Sequence, residues 1–157
     1  MLKTLLSALW AWLQRNTTKP TPEPELRLPQ STKRMAFDAM AALLAAQAPD
    51  ANVYLSDKSY LLCNENDIAW MLANDQSNKM EFTPEALDCD DFSYRLMGQF
   101  SVPGWSDLAF GIVWTNLHAL NCFIDESGSF WFVEPQTDTL QSALLPWQGS
   151  KIRLIVM

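Results

Sequence analysis

The chain has a single histidine, His118, and only three cysteines, Cys63, Cys89 and Cys122, in 157 residues. No CxxC and no Cys/His ligand spacing occurs, so a zinc site is not expected. An odd cysteine count in a chain of this size does not read as a disulfide framework. A reducing compartment is the expectation, with a Cys63–Cys122 bridge that leaves Cys89 free as the alternative. No apolar stretch approaches the length of a membrane span. Cations are also scarce in the body of the chain. Residues 50–140 hold fifteen Asp and Glu against Lys58, Lys79 and Arg95, a local balance of −12 within an overall −7. Phosphate contacts need clustered Lys and Arg, so nucleic acid is excluded as a partner. The same acidity suits a bound cation.

What is present supports one domain with an appendage. Seven Trp and eight Phe supply bulky packing material. Residues 1–15 read as an amphipathic N-terminal helix, with Leu2, Leu5, Leu6, Leu9 and Leu13 on one face. That face is expected to dock on a protein partner, on a second copy of the chain to give a homo-oligomer, or on a membrane surface. Packing on its own domain is the alternative. No small-x-small cleavage pattern follows, so a signal peptide is not expected and the compartment reads as the cytoplasm of a bacterial host. Residues 16–30 carry four closely spaced prolines and read as an extended linker. Residues 31–157 are the expected compact domain.

Within that domain, Ser31 or Thr32 is expected to cap a helix over 33–47, and Glu65 to Asn74 reads as a second helix. Short apolar pieces at Val53–Leu55 and Ser59–Cys63 read as strands or turns. Asp88 is a good N-cap for a third helix, Cys89 to Phe100, with Cys89, Phe92, Leu96 and Phe100 at helical spacing. Phe110 to Ile124 is strand-like, and Phe130 to Glu134 is a returning strand after a turn at Gly128. Lys151 to Met157 is a last strand.

The chemistry concentrates in Asp88-Cys89-Asp90-Asp91-Phe92, His118 and Glu134. A thiol, an imidazole and a carboxylate can act as nucleophile, general base and orienting group. A helix N-terminus favours a thiolate, whereas three adjacent carboxylates disfavour it. A catalytic Cys89 therefore calls for a cation that neutralises the aspartates. The hairpin register decides the geometry. A three-residue loop centred on Gly128 sets Cys122 opposite Glu134 with His118 on their face. A two-residue Ser127-Gly128 turn points His118 the other way. Cys63 and Cys122 read as inert packing, Asn121 as a polar residue of the outer face, and Trp105, Trp114 and Trp131 as core or cleft-wall residues.

Asp88 to Phe92 opening a helix, His118-Ala119-Leu120-Asn121 on a strand and Glu134-Pro135-Gln136 closing another together resemble a known family. It is the papain-like C-terminal domain of the Marasmius oreades agglutinin, with related, mostly phage-encoded, uncharacterised proteins. The likeness covers residues 50–140. It implies an α+β, papain-like cysteine peptidase fold, with N-terminal helices packed on an antiparallel sheet. It implies Cys89 as nucleophile, His118 as general base, Glu134 as its orienting partner, and calcium or manganese held by Asp90 and Asp91. The chain departs from the pattern at Pro135, which offers a metal no side-chain oxygen. It also lacks a glutamine close before Cys89, Gln76 being the nearest.

Two functions are expected from different classes. The first is a thiol hydrolase, a cysteine peptidase acting on a peptide or amide with a Cys-His-Glu triad. A peptidoglycan amidase, whose Asp-Cys-Ser-x-Phe motif looks similar, would use the same groups. The second is a catalytically inactive papain-like scaffold that serves as a binding or structural module of a phage.

Overall fold

The structure is a computed structural model and describes residues 27–157. The expected N-terminal helix and most of the expected linker lie outside them. The chain runs β1 (Arg34–Ala36), α1 (Phe37–Gln47), β2 (Asn52–Tyr54), β3 (Ser59–Leu61), α2 (Glu65–Asn74) and α3 (Cys89–Phe100). It continues with β4 (Phe110–Thr115), β5 (Ala119–Ile124), β6 (Phe130–Glu134), β7 (Thr139–Gln141) and β8 (Ile152–Val156). Strands β1 and β3 form a small ribbon, and the others a six-stranded sheet ordered β2-β8-β4-β5-β6-β7.

The centre of that sheet is buried on both faces, which is why its strands read as apolar runs rather than as alternating patterns. Every residue of β5 is buried. Leu120, Cys122 and Ile124 pack with Met40 and Leu44 of α1 and with Val113, Phe132 and Ile155. Phe123 points the other way, with Phe110 and Val133, into a second cluster. That cluster holds Ile68 and Leu72 of α2, Leu96 and Phe100 of α3, and Trp105. Phe100 stacks on Phe110 at 3.9 Å between ring centroids.

The expected papain-like layout, N-terminal helices on an antiparallel sheet, is corrected by this arrangement. Among the described residues strands predominate over three helices, and the helices lie on both faces of the sheet. Strands interleave with them. The sheet is mixed, because β2 pairs parallel with the C-terminal β8. The helix expected over 33–47 starts later. Arg34 to Ala36 pair with Ser59 to Leu61 instead, and the N-cap is Ala36, with no side-chain cap. Tertiary pairing overrides local capping chemistry there. The bounds of α2 and α3 match their patterns, and the Asn64 side chain caps α2 by accepting from Asn66 N at 2.9 Å.

Ser31, expected as a cap, is buried and serves a different group. The fully buried Asp67 carboxylate accepts from Gln30 N at 2.7 Å, Ser31 N at 2.9 Å and Ser31 Oγ at 3.0 Å. Its other oxygen accepts from Arg27 Nη2 at 2.8 Å. Arg27 lies over the Trp70 ring, and its carbonyl accepts from Trp105 Nε1 at 2.6 Å. A buried carboxylate persists only when so many donors replace water. Residues 27–31 are thereby pinned to α2. Asp67→Ala leaves the backbone donors of Gln30 and Ser31 unpaired. It is expected to cost about 3 kcal/mol of stability, read from urea denaturation. A loss below about 0.5 kcal/mol, the size of an ordinary surface substitution, would show that this carboxylate is not a staple.

Candidate functional site

The end of the sheet where β4 turns into β5 carries His118. Thr115 N donates to His118 O at 2.8 Å, and Thr115 Oγ1 accepts from His118 N at 2.9 Å, which closes the turn. The Thr115 hydroxyl also donates to Gln148 O and so ties this turn to the 3-10 turn Pro146–Gln148. His118 Nε2 lies 2.9 Å from Glu134 Oε2. Both side chains are nearly closed to solvent, at 9% and 5% exposed.

Neither expected register produces this contact. Cys122 pairs with Phe132 and Asn121 with Val133, so continuing the ladder sets Leu120 opposite Glu134. His118 is then the diagonal neighbour of Glu134, within reach of two long side chains. The register with Cys122 opposite Glu134 would have left His118 four residues away along the strand, about 13 Å at strand rise. The loop is five residues, Asp125 to Ser129, because the Asp125 carboxylate gathers Ser127 N at 2.8 Å and Ser129 N at 2.9 Å. Gly128 adopts φ +84°, a conformation glycine takes without strain.

Two groups around Glu134 left no signal in the sequence. Gln148 is fully buried and donates through Nε2 to Glu134 Oε2 at 3.0 Å. Its Oε1 is occupied by Leu145 N at 2.9 Å and by Gln141 Nε2, which fixes the orientation of the amide. Trp147 is exposed and sits over His118, with ring centroids 4.9 Å apart. A glutamine after a proline-tryptophan pair has no periodic signature, so only the fold reveals these partners.

Cys89 is half-buried at the start of α3. The backbone amides of Ala119 and Asp90 face its sulfur and favour a thiolate. Burial is the larger influence, and with the charges of Asp88 and Asp90 it pushes the thiol above its ordinary range. Because Ala119 follows His118, α3 brings the thiol and the imidazole to the same end of the sheet. Asp91 turns back and accepts from Asp88 N at 3.1 Å as a helix cap. The group poised around Cys89 is therefore Asp88, Cys89 and Asp90, whose ligand atoms lie within 4.8 Å of one another, rather than Asp90 with Asp91. A hydrogen bond with the Asp88 side chain, then partial burial and the Asp88 charge, raise the pKa of Asp90.

The remaining cysteines are buried thiols, and burial raises both. Asn121 lies in the interior rather than on the outer face. Its Nδ2 donates to Ser93 O at 3.0 Å and Gly111 O at 3.1 Å, which joins α3 to β4. Of the tryptophans, Trp105 is core, and Trp114 lines a groove of about 590 Å³ with Tyr94, Met97, Ile112, Arg153 and Asn52. Tyr94 and Trp114 approach at 5.6 Å, tilted 60°. Arg153 is exposed and forms no ion pair among the described residues.

No family model and no curated protein matches this chain. Two solved structures share its fold. One, described as a PSL1a–E64 complex, has a TM-score of 0.68 at 23% identity, over 79% of this chain and 50% of that one. The other is a Polyporus squamosus lectin bound to the human-type influenza-binding epitope Neu5Aca2-6Galb1-4GlcNAc. It has a TM-score of 0.65 at 22% identity, over 79% of this chain and 49% of that one. This chain thus spans about half the length of the chains it resembles. These findings correct the resemblance to the papain-like domain of the Marasmius oreades agglutinin and its phage relatives. They also correct the expectation of a hydrolase of the cysteine peptidase kind. The fold is shared with about half of each of these chains, of which one is named as a lectin and neither as a papain-like peptidase.

The thiol itself yields a test. Replacing Asp90 with Asn removes a negative charge beside Cys89 and lowers the thiol pKa. Iodoacetamide alkylation of Cys89 at pH 7.5 is then expected to accelerate by roughly threefold. An unchanged rate would mean that the carboxylates do not govern this thiol.

Proposed function

We propose that this domain is a binding module, and that its ligand is an acidic carbohydrate held in the groove between Tyr94, Trp114 and Arg153. The observation that carries this reading is an exposed guanidinium, without an ion pair among the described residues, beside two aromatic rings in a chain of net charge −7. Aromatic walls stack against the apolar faces of a sugar ring. A guanidinium pairs with a carboxylate through two parallel hydrogen bonds. Asn52 adds a polar group to a mostly apolar cleft of a size suited to a small ligand. The lectin that shares the fold was solved with a glycan whose terminal sugar, Neu5Ac, carries a carboxylate.

The test is titration of the full chain with sialylated and with neutral N-acetyllactosamine, followed by tryptophan fluorescence. Tyr94→Ala is expected to weaken binding about tenfold, and Arg153→Gln to abolish the preference for the acidic sugar. Equal affinity of both variants and the native chain, or no binding of either glycan, removes the groove from consideration.

A second reading is favoured by the His118–Glu134 contact and by Cys89 lying at the amide of Ala119, the residue after His118. In it Cys89 is a nucleophilic thiol, His118 accepts its proton and Glu134 orients the imidazole. A calcium or manganese ion held by Asp90, with Asp88 or Asp91, would offset the negative charge at the thiol. The support is the His118–Glu134 contact, the amides facing the sulfur, and a neighbour solved with E64. E64 carries an epoxide that a thiolate opens. Incubation of the chain with E64, with and without calcium or manganese, is expected to give a single adduct by intact mass. That adduct would be absent in Cys89→Ser and slow in His118→Ala. An unmodified mass under every condition leaves the binding module alone.

A further inference from the structure

We propose that Gln148 is a positioning residue for the pair His118–Glu134. It keeps Glu134 Oε2 an acceptor, which places the ring hydrogen of His118 on Nε2 and leaves Nδ1 as the basic nitrogen. The role belongs to the second reading of the site, in which His118 accepts the proton of Cys89, and rests on it. The placement of the hydrogen rests on hydrogen-bond polarity alone.

A backbone N–H can only donate. Leu145 N lies 2.9 Å from one polar atom of the Gln148 side chain, so that atom is the oxygen, Oε1. Gln141 Nε2 is a second donor to it. A reversed amide would set its nitrogen against both donors and its oxygen against a carboxylate. The nitrogen therefore faces Glu134 and donates to Oε2 at 3.0 Å. The same oxygen lies 2.9 Å from His118 Nε2. Glu134 Oε1 has only the long approach of Gln136 N, at 3.5 Å, among the described residues. Both short contacts thus converge on one oxygen, the arrangement of an ionised carboxylate with two charge-assisted donors. His118 Nε2 is the second donor and carries the hydrogen, so in the neutral ring the lone pair is on Nδ1.

Gln148 is also held at a fixed distance from the histidine. It is fully buried, its N–H donates to Leu145 O at 2.9 Å, and its carbonyl accepts from Thr115 Oγ1. Just beyond it, Asn116 Oδ1 accepts from Ser150 N and Lys151 N, both at 3.1 Å, and Asn116 N donates to Lys151 O at 2.9 Å. Gly149 lies at φ +103°, and a Cβ there would come within 2.7 Å of Asn116 Oδ1 and 2.8 Å of Thr115 Oγ1. Only glycine lets the two segments approach so closely. The turn that carries Gln148 is thus clasped to the turn that carries His118. In the thiol reading the proton passes from Cys89 Sγ to His118 Nδ1, the hydrogen on Nε2 stays, and Glu134 keeps both donors while it balances the imidazolium.

His118 is the single histidine of the chain and so its own reporter. Proton–nitrogen NMR of the isotope-labelled full chain at pH 7.5 reads which ring nitrogen carries hydrogen and how fast that hydrogen exchanges with water. The native ring is expected to carry it on Nε2 only, protected from exchange. Gln148→Met keeps the volume and removes the donor. It is expected to speed exchange of the ring hydrogen about tenfold, while the backbone amides of β5 keep their native rates. Gln141→Ser removes a different hydrogen bond of Gln148 and is expected to leave the ring hydrogen as in the native chain. A native ring with hydrogen on Nδ1 overturns the proposal, whether or not Gln148→Met folds. So does an unchanged ring hydrogen in Gln148→Met. Equal acceleration of the β5 amides, or equal acceleration in Gln141→Ser, marks a residue that merely supports the turn and also overturns it. Treatment with E64 separates the two failures. An unmodified native chain beside the expected ring behaviour removes the thiol reading and leaves the placement of the hydrogen standing. Adduct formation at the native rate in Gln148→Met removes the positioning role and leaves the thiol reading standing.

Discussion

Burial of the central sheet on both faces is the constraint from which the other features follow. β5 has no solvent face, so any polar group it or its neighbours carry must find a partner inside the protein. Asn121 meets this demand through Nδ2, which donates to carbonyls of α3 and β4, while its buried Oδ1 has no partner among the described residues; Glu134 meets it by holding His118 and Gln148. The polar residues of the interior therefore act as rivets between layers. The candidate thiol site is built where three of those rivets, Thr115, Gln148 and Glu134, converge on one turn.

The acidic residues fall into two groups with opposite physics. Asp67, Glu134 and Asp125 are held by several donors each, so their charge contributes to the fold. Asp125 is accordingly held below the usual carboxylate range by hydrogen bonds that outweigh its burial. Asp90 and Asp138 instead face another carboxylate and have raised pKa values. Stability linked to these two is greatest at low pH and is lost as pH rises through their raised values, about 6 for Asp138.

The sheet and helices that support the aromatic groove are the same ones that present the thiol. α3 supplies Cys89 at its first turn and Tyr94 and Met97 further along. Thr115 lines the groove and also closes the turn that places His118. The two candidate sites are mechanically joined through one helix and one hydroxyl, so a ligand in the groove would bear directly on the elements that carry the thiol.

Local chemistry was enough to delimit α2 and α3, since a capping residue and a helical apolar period act within a few residues. It was also enough to mark Cys63 and Cys122 as interior, and Glu134 as a carboxylate that needs a partner. It misplaced the start of α1, because pairing of Arg34 to Ala36 with β3 is a long-range contact that outweighs a cap at Ser31. The papain-like resemblance rested on three short motifs and did not determine the layering of the sheet. The sequence by itself determined which residues are charged, reactive or apolar, and where helices could begin and end. Only the tertiary structure decided the parallel β2–β8 pairing, the register that makes His118 and Glu134 diagonal neighbours, and the closing of Gln148 and Trp147 around them. These depend on loop length and on contacts between distant segments, where the energy of packing a whole face outweighs any preference written into a few adjacent residues.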